Sequence, residues 1–316
     1  MTRLVYEHFM SKDKWLGLTF TTKISKNLMT NTRFDFMGTN KKSLIIVSAV
    51  IIVCISSFAI RGLSQSIDFT GGRNFKVQFE NPVEPEQVRE LIASKFGDAN
   101  VSVIAIGTDK KTVRISTNYR IEDAGNNVDS EIESYLYETL KPVLTQNISL
   151  ETFIDRDNHT GGSIVSSQKV GPSIADDIKT GAIYSVVLAL LAIGLYILLR
   201  FRNIAYSIGS IVALSCDTIM IIGAYSLFWG ILPFSLEIDQ TFIGAILTAI
   251  GYSINDKVVI FDRVREFFGL YPKRDKRQLF NDSLNTTLAR TINTSLSTLI
   301  VLLCIFILGG DSIRSF

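Results

Sequence analysis

Five stretches of this sequence are apolar for long enough to cross a bilayer: residues 44–60, 178–199, 204–228, 242–261 and 288–308. A spanning helix needs roughly 20 residues. At membrane depth no water satisfies the backbone, so such runs are expected to fold as helices packed side by side. A long polar stretch separates the first two runs. The 316 residues are 47% hydrophobic, a share that suits several spans plus one water-exposed domain. The first run starts at Leu44, too far into the chain for a cleavable secretion signal.

Basic residues in short flanks orient the spans. Seven Lys and Arg residues lie between Lys12 and Lys42, ahead of the first span. Arg200 and Arg202 sit between the second and third, and Arg263, Arg265, Lys273, Arg274, Lys276 and Arg277 between the fourth and fifth. The third–fourth connection has no basic residue and carries Glu237 and Asp239. The expectation is an N-terminus inside, with the third–fourth connection and the long polar stretch outside. The predicted organisation is a cytoplasmic segment (1–43), a first span (44–62), an extracytoplasmic domain with its connections (63–177), spans two to five (178–308) and a short end (309–316). Five spans from an inside start would finish outside, eight residues before Phe316, which raises the expectation of a further span beyond it.

Composition removes several classes of function. The net charge of +2 implies no polyanionic partner, and so no nucleic acid. Cys54, Cys216 and Cys304 all fall inside apolar runs, where cysteine behaves as a small hydrophobe. With only His8 and His159, histidine metal sites and Ser-His or Cys-His catalysis have little to work with. No GxxxxGK[ST] stretch is present, and no cofactor is implied.

The polar stretch alternates strands and helices. "RNFKVQF" has strand periodicity; "EPEQVRELIASKFG" repeats apolar residues at helical spacing and stops at Gly97. "VSVIAIG" and "TVRIST" flank the hairpin-like turn "TDKK". "VDSEIESYLYETLKPVL" places Ile132, Tyr135, Leu136 and Leu140 on one helix face, and "ISLETFIDR" is expected to be the last strand. The order β-α-β-β-α-β is the ferredoxin-like split unit. No cleft chemistry is legible in it, so a docking or lever role is expected.

Charges inside the spans carry the functional signal, because an ionisable side chain at membrane depth costs several kcal/mol, ~3 on insertion scales. Asp256 closes the fourth span in "GYSINDKVVIFDR". Thr248, Tyr252 and Asp256 lie along nearly one helix face, which points Asp256 into the bundle. Small residues at Ala245, Ala249 and Ser253 allow close helix approach. Lys257 lies about 100° round the helix, and its stem is expected to snorkel to the inner surface. Arg290, Thr294 and Thr298 form a stripe in the fifth span, at the same expected depth as Asp256. Asp217 adds a third charge in the third span. Together they read as a polar core. A buried Asp–Arg pair can equally serve to fix helix register, and Asp217 can equally serve as a hydrogen-bonding cap.

Four separated motifs resemble one family. "IDFTGG" after the first span (with Asp68, Phe69, Thr70, Gly71 and Gly72), "VGPSIADDI" before the second, "GYSINDKVVIFDRVREF" and "TLARTINTSLSTLIVL" closely resemble SecF, over roughly residues 35–316. That family works with SecD in bacterial Sec protein export. The resemblance implies a half-transporter of the resistance–nodulation–division type, a polytopic α-helical membrane protein with six spans and an α+β ferredoxin-like extracytoplasmic domain. It implies residence in the bacterial cytoplasmic membrane. It also implies coupling of the proton motive force to late steps of polypeptide translocation, with SecD, the SecYEG translocon and the translocating chain as partners and no enzymatic step. Asp256 and Arg290 match the family's proposed proton-relay positions, and Asp217 an acidic position in the third span. Where the family usually has Thr, this chain has Lys257. "TRLVYEHFMSKDKW" near the start resembles the connector that follows a SecD half, the expectation for a portion of a fused SecD–SecF chain. Two rivals remain at this stage: a proton-driven small-molecule exporter half of the same superfamily, which would need a substrate cleft in the outer domain, and an intramembrane aspartyl protease using Asp217 and Asp256, which would need a GxGD stretch that is missing.

Overall fold

The computed structural model describes residues 32–309 apart from 98, 108, 124–126, 146–147, 158–161 and 233–235. The stretch resembling a SecD connector and the residues past 309 lie outside the described part. Helix α1 (Phe36–Arg61) begins at Asp35, whose carboxylate caps the Gly38 amide, and ends at Gly62. A four-residue helix, α2 (Ile67–Thr70), capped by Ser66, leads into the domain. There β1 (Gly72–Phe79), α3 (Pro85–Phe96), β2 (Val101–Ile106), β3 (Thr112–Thr117), α4 (Val128–Leu140), α5 (Leu150–Ile154) and β4 (Gly162–Val170) follow in order. The remaining membrane helices are α6 (Pro172–Phe201), α7 (Ile204–Phe228), α8 (Gln240–Leu270) and α9 (Lys276–Leu308). With α1 they make five helices, among the described residues, that are long and apolar enough to cross a membrane. All but α7 overshoot their apolar runs, because a backbone leaving hydrocarbon still gains by keeping its hydrogen bonds.

The four strands run β2-β3-β1-β4, every neighbouring pair antiparallel. That is the ferredoxin-like order expected from the sequence. Alternation sends Phe75, Val77, Phe79, Val113 and Ile115 to one face, where they are buried with Val88, Ile92, Ile132, Leu136 and Leu140 of α3 and α4. One expected element is corrected. "ISLETFIDR" is not the last strand: Ser149 caps Thr152 and residues 150–154 turn as α5, burying Phe153 against the core. The closing strand is "GSIVSSQKV", Gly162–Val170. Five residues of strand-like composition were overridden by a Ser cap and one buried aromatic.

In the membrane part α7 packs against α1, α6 and α8, and α9 lies against α8. Small residues set the approaches: a side chain at Gly223 of α7 would overlap Cys54 of α1, and one at Gly194 of α6 would overlap Ile211 of α7. Buried hydroxyls of Ser57 and Ser226 meet at 3.1 Å, and Ser207 donates to the Gly194 carbonyl at 2.6 Å. The outward faces, such as Leu44, Ile52, Leu188 and Leu195, are exposed and apolar, as lipid requires.

Candidate functional site

Helices α8 and α9 run antiparallel through a short turn at the end of the bundle far from the domain. From Asp256 to Leu270, and from Lys276 to Arg290, is the same number of residues, about 21 Å of helix each at 1.5 Å per residue. The two charges therefore stand at matched depth on neighbouring helices. Asp256 lines an opening of about 430 Å³ with Tyr252, Asn255, Thr294 and Thr298. Arg290 lines a second one of about 310 Å³, nearer the far end, with Asp262, Arg263, Glu266 and Thr287. Both open along the α8–α9 seam. No ion pair joins Asp256 to Arg290, and neither side chain has a hydrogen-bond partner among the described residues. The expected charge pair is thus not closed: the two residues stand at matched depth but line separate openings.

Asp217 belongs to a different cluster. Its carboxylate accepts from Lys257 Nζ at 2.8 Å and from Ser253 Oγ at 2.6 Å, and Lys257 also donates to Ser253. Lys257 does not reach for the surface as the sequence reading expected. Its ammonium is 21% exposed and turns inward to α7, because at membrane depth an opposite charge on the next helix compensates it better than a stretched stem would. The anticipated single polar core is therefore two: an ion pair between α7 and α8, and an open seam between α8 and α9. The signal that could have found the first is in the sequence, since Ser253 and Lys257 are one turn apart on one face.

Toward the far end Asp262 bridges Arg200 at 3.3 Å and Arg265 at 3.1 Å. Two asparagines of α9 bind the chain entering α1: Asn285 holds both the N–H and the carbonyl of Phe34 (3.0 and 2.9 Å), and Asn281 accepts from Met37 N–H at 2.9 Å. Sequence reading missed both, because a side-chain amide mimicking backbone leaves no pattern. Among the described residues no group of three or more His, Cys, Asp or Glu is arranged to hold a metal ion.

The "IDFTGG" motif forms the joint between the membrane helices and the domain. Phe69 is buried with Leu214, Phe242, Ile246 and Ile250 of α7 and α8. Asp68 accepts from the Gln240 N–H at the start of α8, 3.2 Å away. Ser64 to Ser66 pair with Ile238 through bonds of 2.8 and 3.0 Å. Thr70 donates back to the Ser66 carbonyl. Gly71, at φ 73°, ends α2 beside Pro172, and Gly72, at φ 156°, starts β1 beneath the Thr117 carbonyl. Both conformations favour glycine.

Comparison with known proteins follows this geometry. A family model described as "Protein export membrane protein SecD/SecF, C-terminal" matches residues 152–316, and one described as "SecD/SecF GG Motif" matches residues 56–83. The protein translocase subunit SecF of Rhodothermus marinus is 36% identical over 286 residues, covering 90% of this chain and 85% of that protein. SecF of Haemophilus influenzae is 29% identical over 282 residues, 89% and 78% of the two chains. The protein translocase subunit SecDF of Thermus thermophilus is 30% identical over 291 residues, 91% of this chain and 36% of that one. The crystal structure of the Thermus SecDF superposes with a TM-score of 0.73 at 26% identity, covering 99% of this chain and 38% of the SecDF chain. The present chain thus spans under two fifths of that longer protein.

Proposed function

This chain belongs to the SecD/SecF protein-export family, in its SecF group, and from that membership we propose that Asp256 and Arg290 couple a proton gradient to polypeptide translocation. The chain is a multi-pass membrane subunit of the Sec protein-translocation machinery, a transport component and not an enzyme. The observation that carries the proton reading is the matched depth of Asp256 and Arg290 on one polar seam. A charged Asp256 is drawn toward Arg290; a protonated one is not. Loss of the proton then closes the α8–α9 seam and its gain opens it. The start of α8 is tied to the "IDFTGG" joint, so seam movement is passed to the domain. The domain lies outside the cytoplasmic membrane in this reading and works on a translocating polypeptide beside the SecYEG channel.

Magnitude limits the stroke. One charge crossing 100 mV is worth ~2.3 kcal/mol, whereas taking an equilibrium from 1:99 to 99:1 needs ~5.5 kcal/mol. A full stroke therefore uses more than one proton.

The seam also indicates a partner. Arg290, Asn293 and Ser297, close together on one side of α9, are exposed, which lipid would penalise. We assign this face to the membrane helices of a SecD half, carried on the same polypeptide in the Thermus SecDF relative. The test is Asp256→Asn, which keeps shape and cannot ionise. Membrane abundance should stay normal, ATP-driven export should persist, and the gradient-dependent part should be lost. Arg290→Ala should lose it as well. Normal gradient-dependent export by Asp256→Asn sinks the reading.

A further inference from the structure

We propose that Asp217 is the permanent counter-ion of Lys257 and stays off the proton path that the proposed function runs through Asp256. The inference deepens the proposed function and rests on it. It begins from an oddity of charge placement. Residues 256 and 257 put opposite charges side by side in one helix, yet they face different neighbours. Asp256 opens onto the α8–α9 seam, without a hydrogen-bond or ion-pair partner among the described residues. Lys257 is turned to α7 and closed onto Asp217 at 2.8 Å, with Ser253 bonded to both.

A carboxylate that carries protons must exist in both forms at reasonable cost. Asp217 cannot do so here. Protonating it would leave the Lys257 ammonium at membrane depth with a neutral neighbour, and a charge buried without its partner is strongly unfavourable. The same holds in reverse: Lys257 cannot shed its proton while Asp217 stays charged. Each group holds the other ionised. Ser253 is bonded to both members of the pair and fixes their geometry. Asp256 meets the opposite conditions, because it borders open space and has no fixed partner. Asp262 and Glu266, further along α8, are held in ion pairs with Arg200, Arg265 and Arg263, so Asp256 is the α8 carboxylate without a partner among the described residues, and the Asp217–Lys257 pair sets a constant background beside it.

Lys257 is thus a positioning residue. It stabilises Asp217 where it stands and keeps that carboxylate from competing for the proton.

The experiment uses four variants of the full membrane complex, each measured for membrane abundance and for gradient-dependent export per molecule: Asp217→Asn, Lys257→Met, both together, and Asp256→Asn. Asp217→Asn and Lys257→Met should each lose abundance and gradient-dependent export, since each strands one charge. The double variant strands none and should recover both to within about twofold of the unmodified protein, the range in which coupled pairs cancel. A charge-swapped pair, Asp217→Lys with Lys257→Asp, should recover abundance too. If the double variant is inserted normally but lacks gradient-dependent export, Asp217 does carry protons and the proposal fails. If neither the double variant nor the swap is more abundant than Asp217→Asn, the two residues do not compensate each other and the proposal fails on that ground. Asp256→Asn separates this from the parent reading. Normal gradient-dependent export by that variant removes the proton-carrier role of Asp256, while the abundance comparison still decides whether Asp217 and Lys257 are a pair.

Discussion

Gly72 stands where a Cβ would come within 2.7 Å of the Thr117 carbonyl oxygen and against the Ile67 side chain. Its φ of 156° adds backbone strain for any other residue. Gly72→Ala should therefore destabilise the joint by about 1–3 kcal/mol. Thermal unfolding of the purified protein should show the drop, with a loss of membrane abundance in parallel. Unchanged unfolding would mean that β1 and β3 can move apart without cost. Charged residues follow a similar local logic. Arg73, 1% exposed, is accepted in the domain because Asp129 meets it at 2.7 Å and the Tyr119 carbonyl at 3.0 Å. Although Asp129 is partly desolvated, the Arg73 guanidinium holds its carboxyl below the usual range. The same rule of compensation places Lys257 on Asp217.

At the scale of elements, the domain sheet turns one face to its own helices and the other to the connection between α7 and α8. On that second face Asn74 Oδ1 and Arg114 Nε are buried without hydrogen-bond partners. Glu237, from the connection, meets Ser102 of β2 and lies near Arg114 of β3. Burial pushes the Glu237 carboxyl up; Ser102 and Arg114 offset part of that, and Asp239 adds to it. Docking should therefore depend on pH with a definite sign. A carboxyl raised in the docked state binds more protons there than when undocked, so docking weakens as pH rises. The stabilisation is full below the ordinary Glu value of about 4.3 and is lost as pH climbs through the raised one. Glu237→Gln cannot ionise and should keep the docked stability at higher pH. The check is the unfolding midpoint of both proteins across pH 4 to 8, roughly the span in which carboxyl linkage acts. An identical slope for Glu237→Gln and the unmodified protein would remove Glu237 from the docking account.

For the whole molecule the open matter is orientation, and the basic flanks argue it. Arg202, Lys273 and Arg274 all lie at the end of the bundle away from the domain, and the domain end of α7 and α8 carries Glu237 and Asp239 instead. The positive-inside bias predicts that the far end lies in the cytoplasm. In a background without the native cysteines, Asp157→Cys in the domain should react with an impermeant thiol reagent added outside intact cells. Arg202→Cys and Lys273→Cys should not. Labelling at Arg202→Cys would invert the molecule.

Much of this architecture was legible in order along the chain. Membrane helices announce themselves because hydrocarbon demands long uninterrupted apolar runs, and the domain's strands and helices because their buried faces repeat at periods of two and 3.6 residues. The closing strand was not legible, since the apolar residues of "GSIVSSQKV", Ile164, Val165 and Val170, follow no period of two and its middle is polar. Candidate charges could also be named from sequence, because any ionisable residue at membrane depth is costly. Which charge faces which was another matter. Asp256 and Lys257 are adjacent in sequence, and one helical step of about 100° sends them to different helices. Only packing decided that Lys257 would close on Asp217 while Asp256 would border an open seam. Sequence determines the residues that need compensation; the tertiary structure determines the partner, because partners are supplied by neighbouring helices far along the chain.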